Sequence, residues 1–199
     1  MEGVVAFGAA LGLIALLELG DKTQLLTISL ATRRPWASVL GGATTGLVAA
    51  TAIGAAIGGV MAVTLTGWLP LIRVGGGIVF VVLGAWMIIQ AVRHRPVSTE
   101  SGRSTPTQRN AFLEAAGLLF VAEFGDKTQL AVVILAASYV APVSVFIGAS
   151  LAEALIAVSS VIIGASLARF ITQRWLGFVS SVLFLAAGVL LIFDAMVAV

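Results

Sequence analysis

The stretch Glu18-Leu-Gly-Asp-Lys-Thr-Gln-Leu25 sets three ionisable side chains inside an otherwise apolar run, and Glu123-Phe-Gly-Asp-Lys-Thr-Gln-Leu130 repeats it 105 positions later with seven of eight residues identical. At the same shift Phe7, Gly12 and Leu13 match Phe112, Gly117 and Leu118. Identity in polar residues is not what a shared apolar composition produces, so the chain reads as an internal duplication.

Composition gives the setting of the two motifs. The 199 residues are 60% hydrophobic and only 10% charged, with no cysteine and a mean hydropathy of +1.13. A soluble domain needs about a quarter of its residues charged, so most of this surface is expected to face a lipid bilayer. That excludes a soluble enzyme and a disordered chain. The net charge of +2 does not point to nucleic acid, because the arginines fall mainly between apolar stretches and there report orientation. Without cysteine there is neither a disulfide nor a thiolate metal site. Nothing in the sequence sets an oligomeric state.

Six apolar stretches are long enough to cross a bilayer, at 4–31, 38–63, 70–92, 111–137, 142–168 and 174–197. Pro35, Pro70, Pro96, Pro106 and Pro142 all sit at or between their ends. The first stretch has Glu2 where a signal peptide has a positive segment, and it is too long for one, so it is expected to remain in the mature chain. The polar stretch from His94 to Asn110 reads as a flexible linker in which His94 is solvated. The expected fold is therefore all-α and integral to the membrane: six transmembrane helices as two three-helix repeats, 1–93 and 111–199, joined by the linker 94–110. Three spans is an odd number, so the second repeat enters the membrane inverted, an arrangement that forms binding sites near the midplane. Arg33, Arg34, Arg93, Arg95, Arg103, Arg109, Arg169 and Arg174 then share one face and Arg73 alone lies near the other. The positive-inside rule makes the rich face cytoplasmic and puts both termini outside.

Glu18, Asp21 and Lys22 thus lie near the middle of span one, and Glu123, Asp126 and Lys127 near the middle of span four. An ionised residue there costs about 2.5–3.5 kcal/mol on insertion scales, so these side chains are expected to face the protein interior. On a continuous helix Glu18, Asp21 and Lys22 fall within an arc of about 100°, two carboxylates side by side. Inverted packing can bring the pairs together as four, with Thr23, Gln24, Thr128 and Gln129 as further oxygen donors. A hard oxygen set with no His or Cys suits Ca²⁺, Mn²⁺ or Mg²⁺ rather than zinc or copper. Gly20 and Gly125, just before each Asp, loosen the helix and free backbone carbonyls. The plainer reading is a salt-bridge lock of i,i+4 pairs, Glu18 with Lys22 and Glu123 with Lys127. Burying six charges is a costly way to hold helices that neutral packing would hold.

Four ionised carboxylates with two lysines leave a charge of −2, which one divalent cation cancels. An empty site in a low-dielectric setting is expected to take up about two protons instead, so metal and protons compete for the same oxygens. Glu153, inside span five, either lines the pathway or hydrogen-bonds a neighbouring helix. Glu2, Glu114 and Asp194 lie near span ends and read as interfacial. Gly42, Gly46, Gly54, Gly58 and Gly75 to Gly77 have the spacing of close helix packing. Trp36, Trp68 and Trp175 fall at span ends as interface anchors, with Trp86 deeper.

Two copies of Glu-x-Gly-Asp-Lys-Thr, in three-span repeats joined by a cytoplasmic loop, resemble the Gdt-type cation exchangers, a family that includes a human Golgi protein. The resemblance covers nearly the whole chain. It implies a secondary transporter of Mn²⁺ and Ca²⁺ in exchange for protons, not an enzyme, with Glu18, Asp21, Glu123 and Asp126 as the matching metal-site residues. Lys22, Thr23, Gln24, Lys127, Thr128 and Gln129 support them. Prokaryotic members are manganese exporters of the plasma membrane, and this short chain resembles them. A passive cation channel is the main alternative, since a carboxylate cluster also serves as a filter. An intramembrane aspartyl protease fits poorly, because the run Leu17-Glu18-Leu19-Gly20-Asp21 lacks the first Gly of the Gly-x-Gly-Asp signature.

Overall fold

The computed structural model describes residues 2–93, 108–167 and 173–197, and these are helical apart from short turns, with no strand among them. The order is α1 (Glu2–Glu18), α2 (Lys22–Ala31), α3 (Trp36–Thr64), a 3₁₀ turn (Thr66–Trp68), α4 (Leu69–Arg93), α5 (Gln108–Glu123), α6 (Lys127–Tyr139), α7 (Pro142–Leu167) and α8 (Gln173–Val197). Four helices coincide closely with expected spans. Proline sets several boundaries: Pro35 precedes α3 as its N-cap, Pro70 is second in α4 and Pro142 opens α7. The linker, His94 included, lies outside the described residues except for its last three, which begin α5.

The expected continuous helices over 4–31 and 111–137 are corrected by the structure. Each is broken at its motif, α1 from α2 and α5 from α6, and α1 and α2 meet at a bend of 66°. By length and composition, α3 and α7 are apolar enough to cross a membrane, and α1 with α2 makes a third span if the bent pair is one. Their outward faces carry Val60, Val63, Val143, Leu155 and Ile162, all exposed, as a surface bathed in lipid requires.

Between the helices the apolar gain on packing is small in lipid, so close backbone approach does the holding. A Cβ on Gly42 or Gly46 of α3 would collide with the carbonyl oxygen of Phe112 or Ala116 on α5. One on Gly148 of α7 would lie 2.5 Å from the Phe7 carbonyl oxygen on α1. The two contacts are reciprocal, because Phe7 and Phe112 are the residues matched by the 105-residue shift. Helices α4 and α8 meet through Gly77 and Gly188, where each would drive a Cβ into the other's carbonyl. The glycine spacing read from the sequence is therefore packing, at Gly42, Gly46, Gly58, Gly76 and Gly77.

Two polar ties join the helix ends. Arg34, after α2, donates through Nε and Nη2 to both carboxylate oxygens of Glu114 on α5, at 3.1 and 3.2 Å. Arg73 of α4 donates to the Ser138 carbonyl near the end of α6. Glu114 is thus an ion-pair partner and not simply interfacial.

Candidate metal centre

Gly20 and Gly125 make the two breaks. Their φ values of 75° and 80° lie in the left-handed region, where a Cβ collides with the backbone. The chain therefore leaves α1 after Glu18 and α5 after Glu123, and starts again with Asp21 and Asp126 as N-caps in extended conformation. Gln24 and Gln129, at the third position of each new helix, accept through Oε1 the backbone N–H of Gly20 and Gly125. The reach back from this position resembles a capping box, shifted by one residue to the N–H before the cap. Open space surrounds the added Cβ at Gly125, so Gly125→Ala is expected to cost about 1–2 kcal/mol of conformational strain alone. Gly125→Asn, which tolerates that region, should recover most of it. Thermal unfolding of the three proteins in detergent checks this, and equal losses for Ala and Asn would mean that something other than φ is at stake.

The breaks bring the two motifs against each other, and they interlock. Lys127 Nζ lies 2.6 Å from Asp21 Oδ2, and Lys22 Nζ lies 3.2 Å from Asp126 Oδ2. The i,i+4 pairing of Glu18 with Lys22 and of Glu123 with Lys127 is thus corrected: with the helix broken between them, each lysine reaches the other motif's aspartate. Thr23 and Thr128 both donate to Glu18, at 2.6 Å to Oε2 and 2.7 Å to Oε1. Glu123 has neither oxygen hydrogen-bonded, although it is as buried as Glu18 at 1% exposure.

Glu18, Glu123, Thr23, Thr128, Gln24 and Gln129 are therefore buried together, while Asp21, Asp126 and Lys127 are partly and Lys22 substantially open. The lysines occupy the aspartates, and among the described residues no three carboxylates stand close enough to hold one ion at once. The side-by-side placement of Glu18 and Asp21 on one continuous helical face is likewise replaced by a corner, with Glu18 ending one helix and Asp21 opening the next. Counting the two Asp–Lys pairs as neutral leaves Glu18 and Glu123 as the motif carboxylates without a basic partner of their own. The positive N-terminal ends of α2 and α6 both open at this charged corner.

An apolar groove lies elsewhere. It is open, lies between α3 and α7, and is lined by apolar residues such as Ala52, Ala56, Val63 and Phe146, which offer nothing to an ion. Of the two roles that the sequence allows Glu153, the structure gives it a hydrogen bond from Thr51 on α3. It is fully buried. A polar residue in the middle of each of two apolar helices is the signal for that bond.

Two helices broken at a buried charged motif, in an all-helical membrane chain, define an ion-handling membrane protein. Comparison with known proteins gives the family. The model of the divalent cation/proton antiporter GDT1 matches residues 6–95 and 111–198. A GDT1-like protein of Synechocystis is 32% identical over 68% of this chain and 71% of its own length. The protein of Vibrio cholerae named "Putative manganese exporter" is 32% identical over 71% of this chain and 68% of its own. GDT1-like protein 3 of Oryza sativa subsp. indica is 29% identical over 92% and 72%. No solved structure matches the chain. The chain belongs to the GDT1 divalent cation/proton antiporter family.

Proposed function

We propose that the protein exports Mn²⁺, and also accepts Ca²⁺, in exchange for protons, and that Glu18, Asp21, Glu123 and Asp126 are the carboxylates that meet the ion. The observation that carries this reading is the interlock of the two motifs. With Asp21 bound to Lys127 and Asp126 to Lys22, the charge left uncompensated within the two motifs is that of Glu18 and Glu123, which one divalent cation balances. The oxygen-only donor set suits Mn²⁺ and Ca²⁺, and the relative named "Putative manganese exporter" favours Mn²⁺. Thr23, Thr128, Gln24 and Gln129 hold the corner and supply neutral oxygens.

The chain is read as two inverted repeats, 1–93 and 111–199, around a cytoplasmic linker 94–110. Support comes from the paired packing of α1 on α7 and of α5 on α3, and from the two separate segments that match the family model. Broken helices meeting at the middle of such a pair suit alternating access. Eight of nine arginines on one expected face favour both termini outside, and the bacterial relatives favour a prokaryotic plasma membrane. Single cysteines at Ser101 and Val199 are expected to react with an impermeant maleimide from opposite sides. Reaction from one side would end the six-span topology.

Transport itself is tested in liposomes. Mn²⁺ flux should saturate and follow an imposed pH gradient. A channel would instead carry current down the metal gradient alone.

A further inference from the structure

Glu153 stands in the middle of α7, outside both motifs, with no exposed surface. Its Oε1 accepts a hydrogen bond from Thr51 of α3, while Oε2 is buried with no partner. Both oxygens of Glu123 are buried in the same condition. Glu153 lies near enough to Glu18 and to Glu123 for their charges to act on one another. Three buried carboxyl groups thus lie within electrostatic reach of one another, and three of their oxygens lack a donor.

Neither member of the Thr51–Glu153 bond belongs to the duplication. At the 105-residue shift Glu153 corresponds to Val48 and Thr51 to Ile156, and the adjacent Leu47 and Ala157 are apolar as well. A bond that served only to join α3 to α7 could use a neutral amide or hydroxyl, without the cost of a buried carboxyl. The free oxygen therefore needs a second purpose. Hard oxygen atoms, buried and without donors, are what a divalent cation satisfies.

Resting on the exchange reading above, we propose that Glu153 contacts the transported cation through Oε2, together with Glu123, and that Thr51 is a positioning residue that holds Oε1. The centre is then lopsided. On one side each oxygen of Glu18 already accepts one threonine hydroxyl, and on the other Glu123 and the Oε2 of Glu153 accept none.

The test uses the full chain, purified in detergent and in liposomes, with Mn²⁺, Ca²⁺ and Mg²⁺ as probes. Glu153→Gln keeps the shape and the bond to Thr51 while removing the charge, and is expected to weaken Mn²⁺ binding by about tenfold or more. It should also change the order of preference among the three ions. Thr51→Val should raise the KM for Mn²⁺ several-fold with the maximal rate retained, as loss of positioning requires. Should Glu153→Gln aggregate, Glu153→Asp keeps the charge on a shorter arm, and its Mn²⁺-to-Ca²⁺ preference should differ from that of the parent protein. If the parent protein binds Mn²⁺ and exchanges it for protons, while these variants keep its Kd, KM and ion preference, Glu153 does not meet the ion and the exchange reading stands. If the parent neither binds nor exchanges Mn²⁺, both fail together.

Discussion

Asp21→Asn is expected to reduce Mn²⁺ exchange by on the order of 100-fold while the protein still inserts in the membrane. The substitution keeps the shape of the side chain and removes the charge that faces Lys127 Nζ at 2.6 Å. Asp126→Asn should lose transport almost as completely. The double variant should be little worse than either, because groups that act as one unit do not lose function additively. Stability should separate the two. Lys127 is 13% exposed and Asp21 18%, so Asp21→Asn strands a largely buried ammonium, for which the loss is roughly 3 kcal/mol. Lys22 is 45% exposed, and water compensates it when Asp126 loses its charge, so Asp126→Asn should cost well under that. Adding Lys127→Met to Asp21→Asn should restore much of the stability but none of the transport. Flux in liposomes and thermal unfolding in detergent measure the two effects separately, and independent, additive losses of flux would mean two separate ion sites.

Metal binding is expected to expel protons. The two motif carboxylates that have no basic partner of their own, Glu18 and Glu123, cannot stay empty and charged in a medium that solvates charge poorly. Protons therefore replace the metal when it leaves, and the metal must displace them to return. The sign follows directly: a fall in pH favours the protonated, empty site and weakens metal binding. If two protons leave for each ion, affinity should drop by up to about 100-fold per pH unit where both are exchanged. On the proposed exchange a low outside pH is expected to drive metal outward, with protons loading at one face and metal at the other. Lys22 and Lys127 do not disturb this balance so long as each remains paired with an aspartate.

Much of the fold is legible in the sequence because two kinds of signal agree. Apolar runs of membrane length mark α3, α4, α7 and α8 with ends within a few residues, and proline sharpens them. The repeated motif marks the two sides of the candidate site. The breaks are harder to read, because α1 to α2 is a single apolar run in composition. Their signal is local: Asp21-Lys-Thr-Gln24 and Asp126-Lys-Thr-Gln129 are helix-start patterns, with Asp at the cap and Gln three residues on. A glycine before each cap permits the turn. Taken as helical punctuation, these residues end one helix and begin another within a single apolar run.

The pairing of the lysines is not legible in the sequence. Spacing favours Lys22 with Glu18, and only the breaks, which end one helix at Glu18 and start another at Lys22, release the lysine toward the opposite motif. Arg34 reports orientation in the sequence, but its bidentate grip on Glu114 depends on how the end of α2 meets α5. The unequal treatment of the two glutamates is a tertiary fact as well. Motifs that differ only at Leu19 and Phe124 predict equal partners, yet both threonine hydroxyls serve Glu18.

Calorimetry of Mn²⁺ binding to the purified full chain, in two buffers of different ionisation enthalpy across about pH 5 to 8, tests the central competition most directly. Exchange at shared oxygens predicts an observed enthalpy that depends on the buffer, by an amount equal to about two protons released per ion, with affinity falling as pH falls. Equal enthalpies in both buffers and an affinity flat with pH would contradict it, and would leave metal movement uncoupled from protons.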